Sequence, residues 1–222
     1  MAISGSEYDE VPYLAPSFAN TYPDALAVAA LLRGLDAPPL AGARVLELGC
    51  ARGANLVPMA WSMPDAEFVG VDLSHRQIES ARERAAAAGT TNVTFHAMDL
   101  RDLDDSFGAF DYVVAHGLFS WVPPDVQEAL LEVCARRLSP NGVVYLSYNT
   151  LPGWGAGVMF REMVLYRVRG IANPAERLRE ARNFLRFLAG AARPKESIWA
   201  AMLDEHASYF EQEHDWYLLH DD

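Results

Sequence analysis

The chain has 222 residues, 51% of them apolar, and a net charge of −12, with Lys195 as its only lysine. That length suits one domain with a small appendage. The charge speaks against free nucleic acid as a main partner, because neutralising phosphates needs clustered cations, and no apolar run reaches the ~18 residues of a membrane span.

Residues 1–7 carry neither a basic region nor an apolar block, so nothing suggests secretion. Cys50 and Cys134 are the only cysteines and read as free thiols, which suits a reducing, cytoplasmic setting. Residues 8–20 are rich in proline and aromatics and cannot form a regular helix. They read either as simple packing or as a lid over a cleft. Pro23 to Gly34 reads as a helix, with Pro23 in its first turn and Leu26, Ala29, Ala30 and Leu32 on an apolar side. A Pro-rich linker, 35–43, leads on.

The stretch from Arg44 to Asn55 organises the rest. Val45, Leu46 and Leu48 predict a buried strand, and Glu47 lies at its carboxyl end. Gly49-Cys50-Ala51-Arg52-Gly53 predicts a tight turn whose backbone N–H groups face a ligand. Cys50 fits there as a small residue rather than a nucleophile. A helix from Asn55 to Trp61 follows. Glu67 to Asp72 predicts a second strand ending in an acid, placed to take a ribose diol. Two cofactors fit this pattern: a nicotinamide dinucleotide or S-adenosylmethionine. Ala51 stands where a dinucleotide site wants its middle glycine, and Glu47 would repel a pyrophosphate, whereas an amino group and a sulfonium tolerate an acid. The residues therefore favour the methyl donor.

Ser74 to Gln77 has the form of a capping box, with Gln77 reaching back, and opens an alanine-rich helix that stops at Gly89. Asn92 to His96 predicts the third strand. Asp99, just beyond it, reads as an acceptor for an adenine amino group or as a turn cap. Phe110 to Ala115 predicts a fourth strand ending in His116, Gly117, Phe119 and Trp121, whose aromatic faces can hold an adenine or a cationic methyl group. A helix from Pro124 to Leu138, a turn at Ser139–Gly142 and a fifth strand from Val143 to Ser147 follow. Tyr148 and Asn149 then point into the cleft. Helical periodicity takes over from Met159 to Arg169, Pro174 to Ala191 and roughly Lys195 to Glu213. Arg177, Arg179, Arg182 and Arg186 read as one solvated helix face. No spacing resembles a zinc site, so no metal is expected.

Five strands alternating with helices predict an α/β fold, a doubly wound, Rossmann-like parallel sheet with right-handed crossovers and a helical C-terminal tail. The two further strands usual in such a fold are absent from the pattern: either the helical tail replaces them or the sequence is the front part of a longer chain, and the second reading is favoured. The expected organisation is an N-terminal lid and helix over 1–36, a cofactor-binding core over 37–155 and a helical extension over 156–222.

Glu47-Leu48-Gly49-Cys50, Gly53, Gly70-Val71-Asp72 and Asp99-Leu100 together resemble a class I S-adenosylmethionine-dependent methyltransferase over about 40–150. Tyr8 to Tyr13, Pro23 to Ala27, His116 to Pro123 and Ser147 to Trp154 resemble, more narrowly, bacterial methyltransferases with a C-terminal methyltransferase regulatory domain. Some of those relatives methylate lysines of outer-membrane proteins. The resemblance implies S-adenosylmethionine as cofactor, S-adenosylhomocysteine as product and a methyl acceptor that includes protein lysines. It implies that Glu47, Gly49 and Gly53 frame the methionine end, Asp72 takes the ribose and Asp99 the adenine, with Cys50, Ala51, Leu73 and Leu100 also binding the cofactor. His116 would lie by the reactive methyl. Tyr13, Phe119, Trp121, Tyr148 and Asn149 would face the acceptor. His116, then Tyr148, are the candidates to take the acceptor's proton. Two other readings stay open: a cofactor-binding scaffold without turnover, and a nicotinamide-dependent oxidoreductase.

Overall fold

The computed structural model describes residues 16–211, except 193 and 195, without the side chains of residues 174 and 209–211. Tyr13, residues 8–15 of the expected lid and everything after 211 lie outside the described residues. The described chain divides into two compact units, 16–148 and 149–211.

The first unit is built on five strands: β1 (Arg44–Leu48), β2 (Glu67–Asp72), β3 (Val93–Ala97), β4 (Phe110–Ala115) and β5 (Leu138–Leu146). All pair in parallel, in the order β3-β2-β1-β4-β5. Sheets of this kind bury both faces, so their central strands read as continuous apolar runs. The register shows why. Val45 pairs with Phe68 and Tyr112 and points to one face, while Leu46 pairs with Val69 and Val113 and points to the other. The first face is covered by α1 (Pro23–Leu31), α2 (Leu56–Ser62) and α3 (His75–Ala88) through Leu26, Val57, Met59, Ile78 and Ala81. The second is covered by α4 (Pro124–Arg137) through Leu130 and Val133, together with Leu103. The doubly wound sheet expected from the sequence is therefore what forms. The strand order reverses between β1 and β4, and a crevice opens at the carboxyl ends of strands at such a point.

Local differences from the sequence reading have local causes. In α1, Leu26 and Ala30 are buried, but Ala29 is exposed and Leu32 is 80% exposed. Apolar residues surround this short helix, so periodicity could not select the buried side. In β5, the segment expected as a turn is a bulge within the strand. Phe110 pairs with Leu138 and Tyr112 with Val143, which leaves Ser139–Gly142 to loop out. Asn141 takes the left-handed conformation there at φ 64, and the Ser139 hydroxyl donates to Asp111 at 2.7 Å. At α3 the Ser74 side chain accepts from the Gln77 amide at 3.1 Å, as a cap should. The return half of the box is missing, because Gln77 Oε1 is buried without a partner.

The second unit holds α5 (Gly155–Val168), α6 (Pro174–Ala191) and α7 (Ile198–Glu211). They pack on Phe160, Ala189, Ala192, Ala200 and Leu203. Helix α5 begins ahead of the expected Met159, across glycines whose low helix propensity hid its start.

Candidate functional site

The turn after β1 carries two glycines and one alanine with positive φ: Gly49 at 73°, Ala51 at 47° and Gly53 at 65°. A Cβ on Gly53 would stand 2.8 Å from the Phe95 ring, so that glycine admits β3 and α3 rather than a ligand. Ala51 is the unusual residue, since left-handed backbone costs a side chain roughly 1–2 kcal/mol. Its amide donates to Asp72 Oδ2 at 2.9 Å, which holds the turn. Asp72 Oδ1 accepts from the Ser74 amide, also at 2.9 Å.

The turn corrects one expectation. Gly49 and Cys50 both donate to the Val71 carbonyl, Ala51 to Asp72, and Gly53 to the Cys50 carbonyl. These amides face the protein, not a ligand, because the parallel ladder with β2 continues past the end of β1. A pyrophosphate would find those donors already engaged.

Glu47 is buried, 4% exposed, on the β1 tip. Its Oε1 accepts from Asn55 Nδ2 at 2.7 Å, while Oε2 is buried without a partner. Burial pushes its carboxyl up to about 8, against a smaller lowering by the Asn55 bond, and the Asp72 charge adds to the rise. A buried carboxyl with one idle oxygen fits a cationic amino group better than any phosphate. Cys50, packed over Gly70, is fully buried, and burial followed by the charges of Asp72 and Glu47 raises its thiol well above the ordinary range. It stays a thiol.

Asp99 caps a short turn, Leu100–Asp102, by accepting from the Arg101 amide at 2.9 Å. The Arg101 guanidinium also binds it, at 3.0 and 2.6 Å, and reaches Asp125 at 3.1 Å. The hydrogen bonds from Arg101 hold the Asp99 carboxyl below its usual range. Leu100 is half-buried and Leu73 is 41% exposed. Because Glu47 pairs with Gly70 and Asp72 with Ala97, the acids of β1, β2 and the β3 exit lie along one edge of the sheet.

At the tips of β4 and β5, His116 Nδ1 lies 3.2 Å from the Tyr145 hydroxyl, and the Phe18 ring packs on the imidazole with centroids 3.8 Å apart. Burial draws the imidazole below its ordinary value. Phe119 and Trp121 sit half-buried in a short turn that Gln127 fastens through the Phe119 and Val122 carbonyls. The Phe119 ring meets Tyr148 edge-on at 6.2 Å, and Tyr148 is 60% exposed. Asn149 is described with the second unit. Sequence reasoning placed Phe18 and Asn20 in the segment read as packing or a lid, without singling them out, and missed Thr21, Asn55, Tyr145 and Arg101. Of these four only Asn55 gave a signal, as a polar residue at the foot of a helix on the glycine turn.

Among the described residues no group of His, Cys, Asp and Glu could hold a metal ion, and no helix is long and apolar enough to cross a membrane.

Comparison with known proteins agrees with this geometry. A family model described as "Methyltransferase domain" matches residues 45–142, from β1 into β5. RP028, an uncharacterized protein of Rickettsia prowazekii, is 39% identical over 96% of this chain and 86% of its own length. RP789 of the same organism is 43% identical over 96% of this chain, which spans 39% of that protein. The solved structure of PKMT2 from Rickettsia typhi in complex with AdoHcy superposes with a TM-score of 0.81 at 38% identity, covering 94% of this chain and 40% of that one. Shared sequence through the glycine turn and a shared fold around it lead to one assignment: residues 45–142 form a class I S-adenosylmethionine-dependent methyltransferase domain, in a chain that belongs to one family with RP028.

Proposed function

We propose that this chain binds S-adenosylmethionine along the carboxyl edge of β1, β2 and β3 and that the methyl acceptor is a protein lysine. The reading rests above all on Glu47, a buried carboxyl whose second oxygen has no partner. The cofactor draws on the likeness to PKMT2 of Rickettsia typhi, whose structure holds AdoHcy, and the lysine acceptor on the resemblance of residues 116–123 and 147–154 to bacterial methyltransferases that include lysine methyltransferases. In this reading Glu47 receives the amino end of the cofactor at the β1 tip, Asp72 accepts from the ribose hydroxyls, and Asp99 accepts from the adenine amine. The cofactor, when bound, supplies a methyl group already activated on a sulfonium.

The protein's own work is then to orient the acceptor nitrogen, exclude water and remove a proton. A lysine attacks only as a neutral amine. His116, kept neutral by its burial, takes that proton at Nε2 in the tautomer that donates Nδ1–H to Tyr145. Phe119 and Trp121 offer aromatic faces to a cationic side chain. Tyr148, exposed beside Phe119, is the second candidate for the proton.

Calorimetric titration with S-adenosylhomocysteine tests the cofactor, and transfer of labelled methyl from S-adenosylmethionine to a lysine-bearing protein tests the acceptor. Asp72→Ala should abolish measurable binding of S-adenosylhomocysteine while leaving a cooperative melting transition. A chain whose melting temperature rises with a nicotinamide dinucleotide and ignores S-adenosylhomocysteine would overturn the reading.

A further inference from the structure

Asn55 is buried, 3% exposed, at the entrance to α2, and every polar atom of its side chain is engaged. Its orientation is set by a backbone donor. The Phe18 amide lies 2.9 Å from one side-chain atom, which must therefore be the oxygen. The nitrogen then donates to Glu47 Oε1 at 2.7 Å and to the Thr21 hydroxyl at 3.0 Å. Thr21, fully buried, donates in turn to the Phe18 carbonyl at 2.8 Å.

The other side of the same segment meets His116 by two routes. The Phe18 ring packs on the imidazole, and Asn20 Nδ2 donates to the Tyr145 hydroxyl at 2.8 Å, which contacts His116 Nδ1. One amide thus stands between the carboxyl at the β1 tip and the strap that covers the imidazole at the β4 tip. These residues are remote in sequence, so the link exists only in the folded chain.

We propose that Asn55 is a positioning residue that couples the two ends of the cleft: its amide nitrogen holds Glu47, its oxygen holds the Phe18–Thr21 strap, and filling the cofactor site at Glu47 seats Phe18 more firmly on His116. The coupling rests on the reading that the cofactor's amino end meets Glu47. A cation there favours the carboxylate, and a hydrogen bond to a carboxylate is roughly twice as strong as one to a neutral acid. Hydrogen bonds in series polarise one another, so a stronger pull on the Asn55 nitrogen makes its oxygen a better acceptor for the Phe18 amide. Cofactor uptake and tightening of the strap become one event, and His116 is screened from water more completely when the methyl donor is in place.

The test is a double-mutant cycle on the full chain, read by S-adenosylhomocysteine affinity and by the pH titration of the His116 ring proton in NMR. Phe18→Ala should weaken binding about fivefold in the otherwise unaltered chain and leave it unchanged in an Asn55→Ala background. S-adenosylhomocysteine should shift the His116 titration in the unaltered chain and not in Asn55→Ala. Asn55→Asp, which keeps an acceptor for the Phe18 amide but gives up the donor to Glu47, serves if Asn55→Ala does not fold; it should lose the coupling while keeping the strap. Additive losses, or a His116 shift on ligand addition that is the same in all variants, would overturn the coupling alone. Failure of the unaltered chain to bind S-adenosylhomocysteine would remove the cofactor reading and the coupling with it.

Discussion

Glu47 concentrates the electrostatics of the β1 tip. Its carboxyl ionises near 4.5 in an open chain and near 8 when folded. Across that interval the folded state holds a proton that the unfolded state has lost, so stability falls as pH rises. The contribution of neutral Glu47 is fully present below pH 4.5 and is gone once pH passes about 8. Glu47→Gln keeps the neutral form, so its melting temperature should exceed that of the unaltered chain at pH 8, with the gap closing toward pH 4.5. Equal melting curves across this range would show that the carboxyl is not desolvated. The acid itself was legible in the sequence from its place before the glycine turn. Its idle oxygen was not, because that depends on Asn55, at the head of α2, taking one oxygen and on the fold burying the other.

At the scale of elements, β2 and the glycine turn are fitted to each other through Gly70. A Cβ at Gly70 would come 2.7 Å from the Phe95 ring and 2.8 Å from Cys50 Sγ. Gly70→Ala should therefore cost about 1–3 kcal/mol in denaturant unfolding, the range for overpacked cores. Adding Phe95→Leu should restore part of the loss. The strands were readable because burial on both faces leaves an unbroken apolar run, as in Val69-Gly70-Val71. The buried side of α1 was not readable, since Val28, Leu31 and Leu32 are as apolar as Leu26 and yet exposed. Likewise the Ser139–Gly142 turn chemistry was correct, but whether it ended a strand or bulged from one depended on pairing with β4.

Across the whole molecule, the two units differ in how they are held. Residues 16–148 share a parallel sheet with buried faces on both sides, whereas 149–211 are three helices packed on Phe160, Val164, Val168, Ala181, Leu185 and Leu203 with no strand among the described residues. Local stability follows buried apolar contact. Amides of α5, α6 and α7 should thus exchange with deuterium faster than those of β1, β2 and β4, and equal protection would contradict this division. By itself the sequence determined the alternation of strands and helices, the acids at the tips of β1 and β2 and beyond β3, and the tight bend after β1. Each of those is written in neighbouring residues, through strand burial, backbone freedom at glycine and the cap at Ser74. Only the tertiary structure decided that the turn's amides face inward, that Asn55 takes Glu47, and that Phe18 and Tyr145 enclose His116. Asn55 and Glu47 are eight residues apart but on different elements, the other partners are 29 residues apart or more, and they meet because parallel register and helix packing bring strand tips and the N-terminal strap to one edge.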